Sequence, residues 1–157
     1  MAEHGQILVL GLGNRLMMDD AAGPIALERL ASCTLNGATL RDGGTMGMNL
    51  LPEIEDAAAL IVVDAASFNA EPGVVRVFEG AEMDRQLGGA KRTAHEVALS
   101  DLMSAAALQG LAPMRRALVA VQPETIAWGL EPTPRVAAAI PEMVAAVVAL
   151  TNDWRAS

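Results

Sequence analysis

The chain has 157 residues, enough for one domain with a single well-buried core. Hydrophobic residues make up 52% but aromatics only 3%, with no Tyr, so Ala, Val, Leu and nine Met must fill the interior. A formal net charge of −8 argues against nucleic acid or an anionic membrane as partner, and one Cys excludes an internal disulfide and any thiolate-rich metal site.

Residues 1–6 carry an acid and a His in place of the basic start of a signal peptide, so a cytoplasmic location is expected. Residues 7–10 (Ile-Leu-Val-Leu) predict a strand that breaks at Gly11-Leu12-Gly13-Asn14. A dinucleotide fingerprint would place a third glycine three residues after Gly13, but that position is Leu16. Asp19 and Asp20 follow, and an acidic pair repels a phosphate, so the loop suits a cation better than a nucleotide. A helix is predicted over 21–32, with Ala22, Ala26, Leu30 and Cys33 forming an apolar stripe on which Cys33 is read as a small buried hydrophobe. A more polar strand over 38–41 runs into Asp42-Gly43-Gly44-Thr45-Met46-Gly47. Residues 48–58 are helical in composition, with the regular helix starting near Pro52.

Residues 59–64 (Ala-Leu-Ile-Val-Val-Asp) form an unbroken apolar run ending in an acid, the pattern of a strand buried on both faces. A further strand is predicted at 74–78, and 80–92 reads as loop. Thr93-Ala94-His95-Glu96 is a capping box, with Thr93 as N-cap and Glu96 reaching back, and Leu99, Leu102, Met103 and Ala106 continue the helix. A last strand is predicted at 118–121, then a long loop over 122–131 carrying Trp128. A final helix at 134–150 is expected to kink at Pro141, and that interruption leaves its apolar run short of the ~20 residues of a membrane span. Strands alternating with helices predict a three-layer α/β domain over 1–157, its mostly parallel twisted sheet of about five strands covered by helices on both faces.

In such sheets ligands bind beyond the carboxyl ends of the strands. Asp19, Asp20, Asp42 and Asp64 fall there, and His95 starts a helix. Each has a plain structural alternative: Asp19 or Asp20 as the cap of the first helix, Asp42 as a turn residue, Asp64 bonded to the turn after it, His95 on the surface. The helix N-terminus is expected to lower the pKa of His95 and keep it a neutral ligand. Two carboxylates with one imidazole suit nickel, zinc, manganese or iron. No G-x-S-x-G elbow and no H-E-x-x-H occur, and Ser67 and Ser100 sit on no recognisable nucleophile turn.

Several stretches together resemble the maturation endopeptidases of nickel–iron hydrogenases. These are Gly11-Leu12-Gly13-Asn14 with Asp19-Asp20-Ala21-Ala22-Gly23, the Asp42–Gly47 loop, Val62-Val63-Asp64-Ala65, His95-Glu96, and Gln122-Pro123-Glu124-Thr125. The resemblance is collinear over nearly the whole chain. It implies an endopeptidase that removes a short C-terminal extension from the nickel-loaded precursor of a hydrogenase large subunit. It further implies that Asp20, Asp64 and His95 are both metal ligands and catalytic residues. The nickel would be supplied by the substrate, with no resident cofactor and with a monomer meeting the precursor transiently. Some relatives carry Glu at the position of Asp20, and Gly is often found at that of Gln122. Trp128 is a candidate anchor for the precursor, while Met17, Met18, Met46 and Met48 are candidates for an adaptable surface near the site. A nickel-sensing chaperone that cleaves nothing is the main alternative; a metal-dependent hydrolase of a small molecule is a weaker one.

Overall fold

The computed structural model describes residues 5–35, 37–44, 48–89 and 93–156. Five strands form one sheet: β1 (Ile7–Leu12), β2 (Ala38–Gly44), β3 (Ala59–Ala65), β4 (Val75–Glu79) and β5 (Arg115–Val121). Their order is β2-β1-β3-β5-β4, with every pairing parallel except β4 against β5. The five helices are α1 (Ala22–Leu30), α2 (Leu51–Asp56), α3 (Ala81–Leu87), α4 (Ala94–Leu108) and α5 (Pro134–Ala156). This is the mostly parallel α/β sheet that the alternating pattern predicts.

β1 and β3 are buried along their whole length, which is why both read as unbroken apolar runs. Alternate residues feed two cores. Val9, Ile61, Val63 and Val119 pack with α1 and α5, while Leu10, Leu60, Val62 and Leu118 pack with α2, α3 and α4. α1 lies close to the sheet because Gly23 has no side chain. A Cβ there would stand 2.2 Å from the Leu12 carbonyl oxygen and 2.5 Å from that of Val63. Gly23 thus does the helix–strand packing job that a dinucleotide fingerprint assigns to its third glycine.

Three expectations need correction. Residues 80–92 are not all loop: Ala81–Leu87 is α3, which buries Met83 and Leu87. Only those two of its residues face the core, too few to give a periodic signal. Cys33 is exposed, because α1 ends at Leu30 and the apolar stripe does not extend to it. The final helix, expected to end near residue 150 and to fall short of a membrane span, runs 23 residues through Pro141 to Ala156, long and apolar enough to cross a membrane by length and composition. Its buried face, from Val136 through Met143 and Val147 to Trp154, instead packs against the sheet.

The sheet order reverses at β1. The chain leaves β1 for β2 on one side and then returns to β3 on the other, which opens a crevice at the carboxyl ends of β1 and β3. The groups of interest converge there.

Candidate functional site

Asp20 reaches the crevice through an unusual turn. After β1, Gly13 adopts φ +136°, and a Cβ there would lie 1.9 Å from the Asp20 carbonyl oxygen, so the chain folds back only over a glycine. Met18 holds a left-handed φ of 50°, uncommon for a residue with a side chain. A 3-10 turn over Met18–Ala21 then carries both acids. Neither caps α1, whose N-cap Ala21 has no side-chain bond.

The two acids turn opposite ways. Asp20 faces the crevice, where Oδ2 accepts from Asn14 N–H at 2.9 Å and Oδ1 lies 3.0 Å from His95 Nε2. Asp19 is fully buried and points beneath the loop at 122–133. Its oxygens accept from the N–H groups of Glu124 (2.8 Å), Thr125 (2.8 Å) and Thr133 (2.6 Å), and from the Thr133 hydroxyl.

Asp64 stands at the end of β3 with no exposure, and neither of its carboxylate oxygens has a hydrogen-bond partner. His95 Nδ1 is 3.4 Å from Asp64 Oδ2 and 3.0 Å from Thr93 Oγ1. Thr93 caps α4, accepting from Glu96 N–H, and so fixes the turn that aims His95 inward. One ligating atom from each of Asp20, Asp64 and His95 falls within 4.8 Å of the others. A buried carboxylate without donors is costly unless a cation completes it, and two carboxylates with an imidazole are the donor set a divalent transition metal takes. The residues present therefore fit such an ion.

Burial alone would lower the pKa of His95. The hydrogen bond to Asp20, the contact with Asp64 and the charges of both outweigh it and raise the pKa to about 10. The expected lowering is thus reversed, because two carboxylates in contact with the ring outweigh what disfavours its charge. Burial pushes Asp64 up to about 6, against the pull of His95. At neutral pH a proton on His95 occupies the place of a cation. A divalent ion bound there would have to displace it, so affinity for free nickel should rise about tenfold per pH unit from pH 7 to 9 in calorimetric titrations; a flat profile would contradict an imidazolium in the empty site. Both groups hold protons more tightly in the folded chain than in the unfolded one. Stability without metal therefore falls as pH rises, across about 4 to 6 for Asp64 and about 6.5 to 10 for His95.

Glu96 is a site neighbour that the capping-box reading does not single out. Its carboxylate is buried without a hydrogen-bond partner, and burial and the Asp64 charge push its pKa to about 7. Thr93 pulls the Glu96 pKa down against its burial, so the return arm of the box is weak. Gln122 also has a role invisible in the sequence. Its Oε1 accepts from Phe68 and Ala70 N–H, and its Nε2 donates to Ser67 Oγ, holding the segment after Asp64. Asp42, expected in a turn, lies within β2 opposite Gly11 and accepts from Gly44 N–H where the strand register shifts. Ser100 lines a separate cavity with Asp84 and Arg116. Met17 and Trp128 border the crevice; Thr45, Met46 and Gly47 lie outside the described residues, as does the Met48 side chain.

The family model described as "Hydrogenase maturation protease" matches residues 27–150. The chain belongs to the hydrogenase maturation protease family. It is 36% identical over 152 residues to the hydrogenase expression/formation protein HupD of Rhodobacter capsulatus, covering 95% of this chain and 72% of that one. To the hydrogenase 2 maturation protease of Escherichia coli it is 34% identical, covering 94% and 92%. It is also similar to the solved structure of the hydrogenase maturating endopeptidase HybD from E. coli. That likeness has a TM-score of 0.88 and 32% identity and covers 94% of this chain and 93% of the other. This maturation protease is a hydrolase of peptide bonds, built without a serine elbow. The family match begins beyond Asp20, whereas the pairwise likenesses extend over nearly the whole chain.

Proposed function

We propose that this protein removes a short C-terminal extension from the precursor of a nickel–iron hydrogenase large subunit, and that it recognises nickel already seated in that precursor. Asp20, Asp64 and His95 are the recognising ligands and the catalytic residues. The observation that carries the reading is the convergence of these three side chains within 4.8 Å around Asp64, a fully buried carboxylate paired only loosely with His95, at 3.4 Å from Nδ1 to Oδ2. The relatives' names, hydrogenase 2 maturation protease among them, supply the substrate class.

The metal belongs to the substrate; when bound it supplies Lewis-acid polarisation at the peptide to be cut. The protein's own groups orient it. Asn14 N–H fixes the rotation of Asp20, and Thr93 fixes that of His95. Proton release from His95 frees an imidazole nitrogen between two carboxylates, and an ionised carboxylate beside the reacting carbonyl can then take a proton from water. Processing takes place in the cytoplasm, by a monomer that meets its precursor transiently.

The test is to mix the purified protein with nickel-loaded and nickel-free precursor and to read the precursor's mass. Loss of a C-terminal peptide from the loaded form alone is expected. Binding of the loaded form with no change in mass would overturn the peptidase reading in favour of a chaperone.

A further inference from the structure

The loop at 122–133 has no regular structure, yet it is held on several sides. Asp19 grips Glu124, Thr125 and Thr133 from below. On its flank the loop forms a parallel bridge with the turn that carries the acids. Gly129 N–H donates to the Leu16 carbonyl at 2.9 Å, and Met18 N–H donates to the Gly129 carbonyl at 3.3 Å. A segment fixed this firmly would be expected to turn its apolar side chains inward. Instead Trp128 is 79% exposed and Leu130 80%, with half-exposed Ile126 and Leu16 beside them.

This apolar wall continues into the crevice. Ile126 and Trp128 line the same cleft, of about 520 Å³, as Asp20 and His95. Those two are the only ionisable groups among its described lining residues, and the remainder of that described lining is apolar or uncharged. Whatever fills it meets both ligand side chains and Trp128.

We propose that the loop clamped by Asp19 is the docking platform for an apolar segment of the precursor adjoining its metal, with Trp128 as the central anchor. This rests on the peptidase reading for the identity of the partner. The occupant is apolar because the wall is, and it adjoins the metal because the wall shares one cleft with Asp20 and His95. A rigid platform avoids the entropic penalty of ordering a loop on binding, and a Trp held ready is the side chain that most often dominates an interface. Since Asp19 and Asp20 are neighbours, one turn sets the platform in register with the ligand.

The test measures steady-state cleavage of the nickel-loaded precursor and, separately, its equilibrium binding. Trp128→Ala should raise Kd and KM about tenfold or more with kcat within about twofold, and Trp128→Phe should recover most of the loss. Met114→Ser, at an equally exposed apolar residue before β5 at the far end of the sheet, should change neither Kd nor KM. An unchanged Kd in Trp128→Ala combined with Ile126→Ser and Leu130→Ser would overturn the platform. So would sedimentation showing that these substitutions dissociate a self-associated form of the protein alone. Wild-type protein that binds the precursor without cleaving it would sink the peptidase reading while leaving the binding test of the platform intact.

Discussion

Asp64→Asn should reduce processing of the nickel-loaded precursor more than about 100-fold while leaving thermal stability at pH 7.5 equal to or above that of the native chain. Substituting groups that merely orient metal ligands already lowers affinity or activity 10–100-fold, so removing a ligand oxygen should do more. Stability moves the other way because Asp64 is fully buried and burial pushes its pKa to about 6. At pH 7.5 it is ionised against its environment, and a neutral side chain of the same shape relieves that penalty. His95→Ala should also stop processing but lower stability by ~2 kcal/mol, roughly 5 °C, since it leaves two carboxylates facing each other without a positive charge. Processing assays with calorimetric melts on both variants separate the cases. Native activity in both would remove the proposed site, and a strongly destabilised Asp64→Asn would contradict the account of its burial.

The opposite stability effects bear on how the site came to be readable. Asp64 is legible in sequence because an acid at the end of an apolar run has nowhere to go but the carboxyl edge of a buried strand. His95 is legible through Thr93, whose cap places it in the first turn of α4. Their meeting is not legible. It depends on the return of the chain across β1 from β2 to β3 and on the packing of α4 over that edge, both long-range events. The pKa of His95 went the wrong way for the same reason: the helix end is a local feature, whereas the two carboxylates arrive from β3 and from the turn after β1.

Other misreadings share this origin. The helical stripe through Ala22, Ala26 and Leu30 is real, but periodicity does not say where a helix stops, so Cys33 falls on the exposed turn beyond it. α3 is held by Met83 and Leu87 against the α4 side of the sheet, which a polar sequence conceals. Leu16 stands at the place of the third glycine of a dinucleotide fingerprint. The close approach of helix to strand nevertheless occurs, displaced to Gly23, where the carbonyls of Leu12 and Val63 leave no room for a Cβ. The loop after β1 thus keeps the packing of a nucleotide fold while exchanging its phosphate cradle for a carboxylate.

The adjacent acids should respond to the same substitution in opposite ways. Asp19→Ala is expected to cost about 3–5 kcal/mol, because it strands three backbone N–H groups and a hydroxyl, those of Thr133 in a buried position. The loop at 122–133 should then open and become the first site of limited proteolysis, and the Trp128 platform should go with it. Asp20→Ala removes only the Asn14 bond and one of the two carboxylates beside His95, at a slightly exposed position that water reaches. A loss of about 1–2 kcal/mol and a protease-resistant loop are expected there, with processing abolished. Asp19→Asn keeps one acceptor oxygen and should fall between, which keeps the comparison usable if the alanine variant does not fold. Urea melts of the three variants, read with the proteolytic pattern, check the assignment. Equal destabilisation by Asp19→Ala and Asp20→Ala would mean that the two carboxylates form one unit, and the division between a clamping acid and a ligand acid would fail.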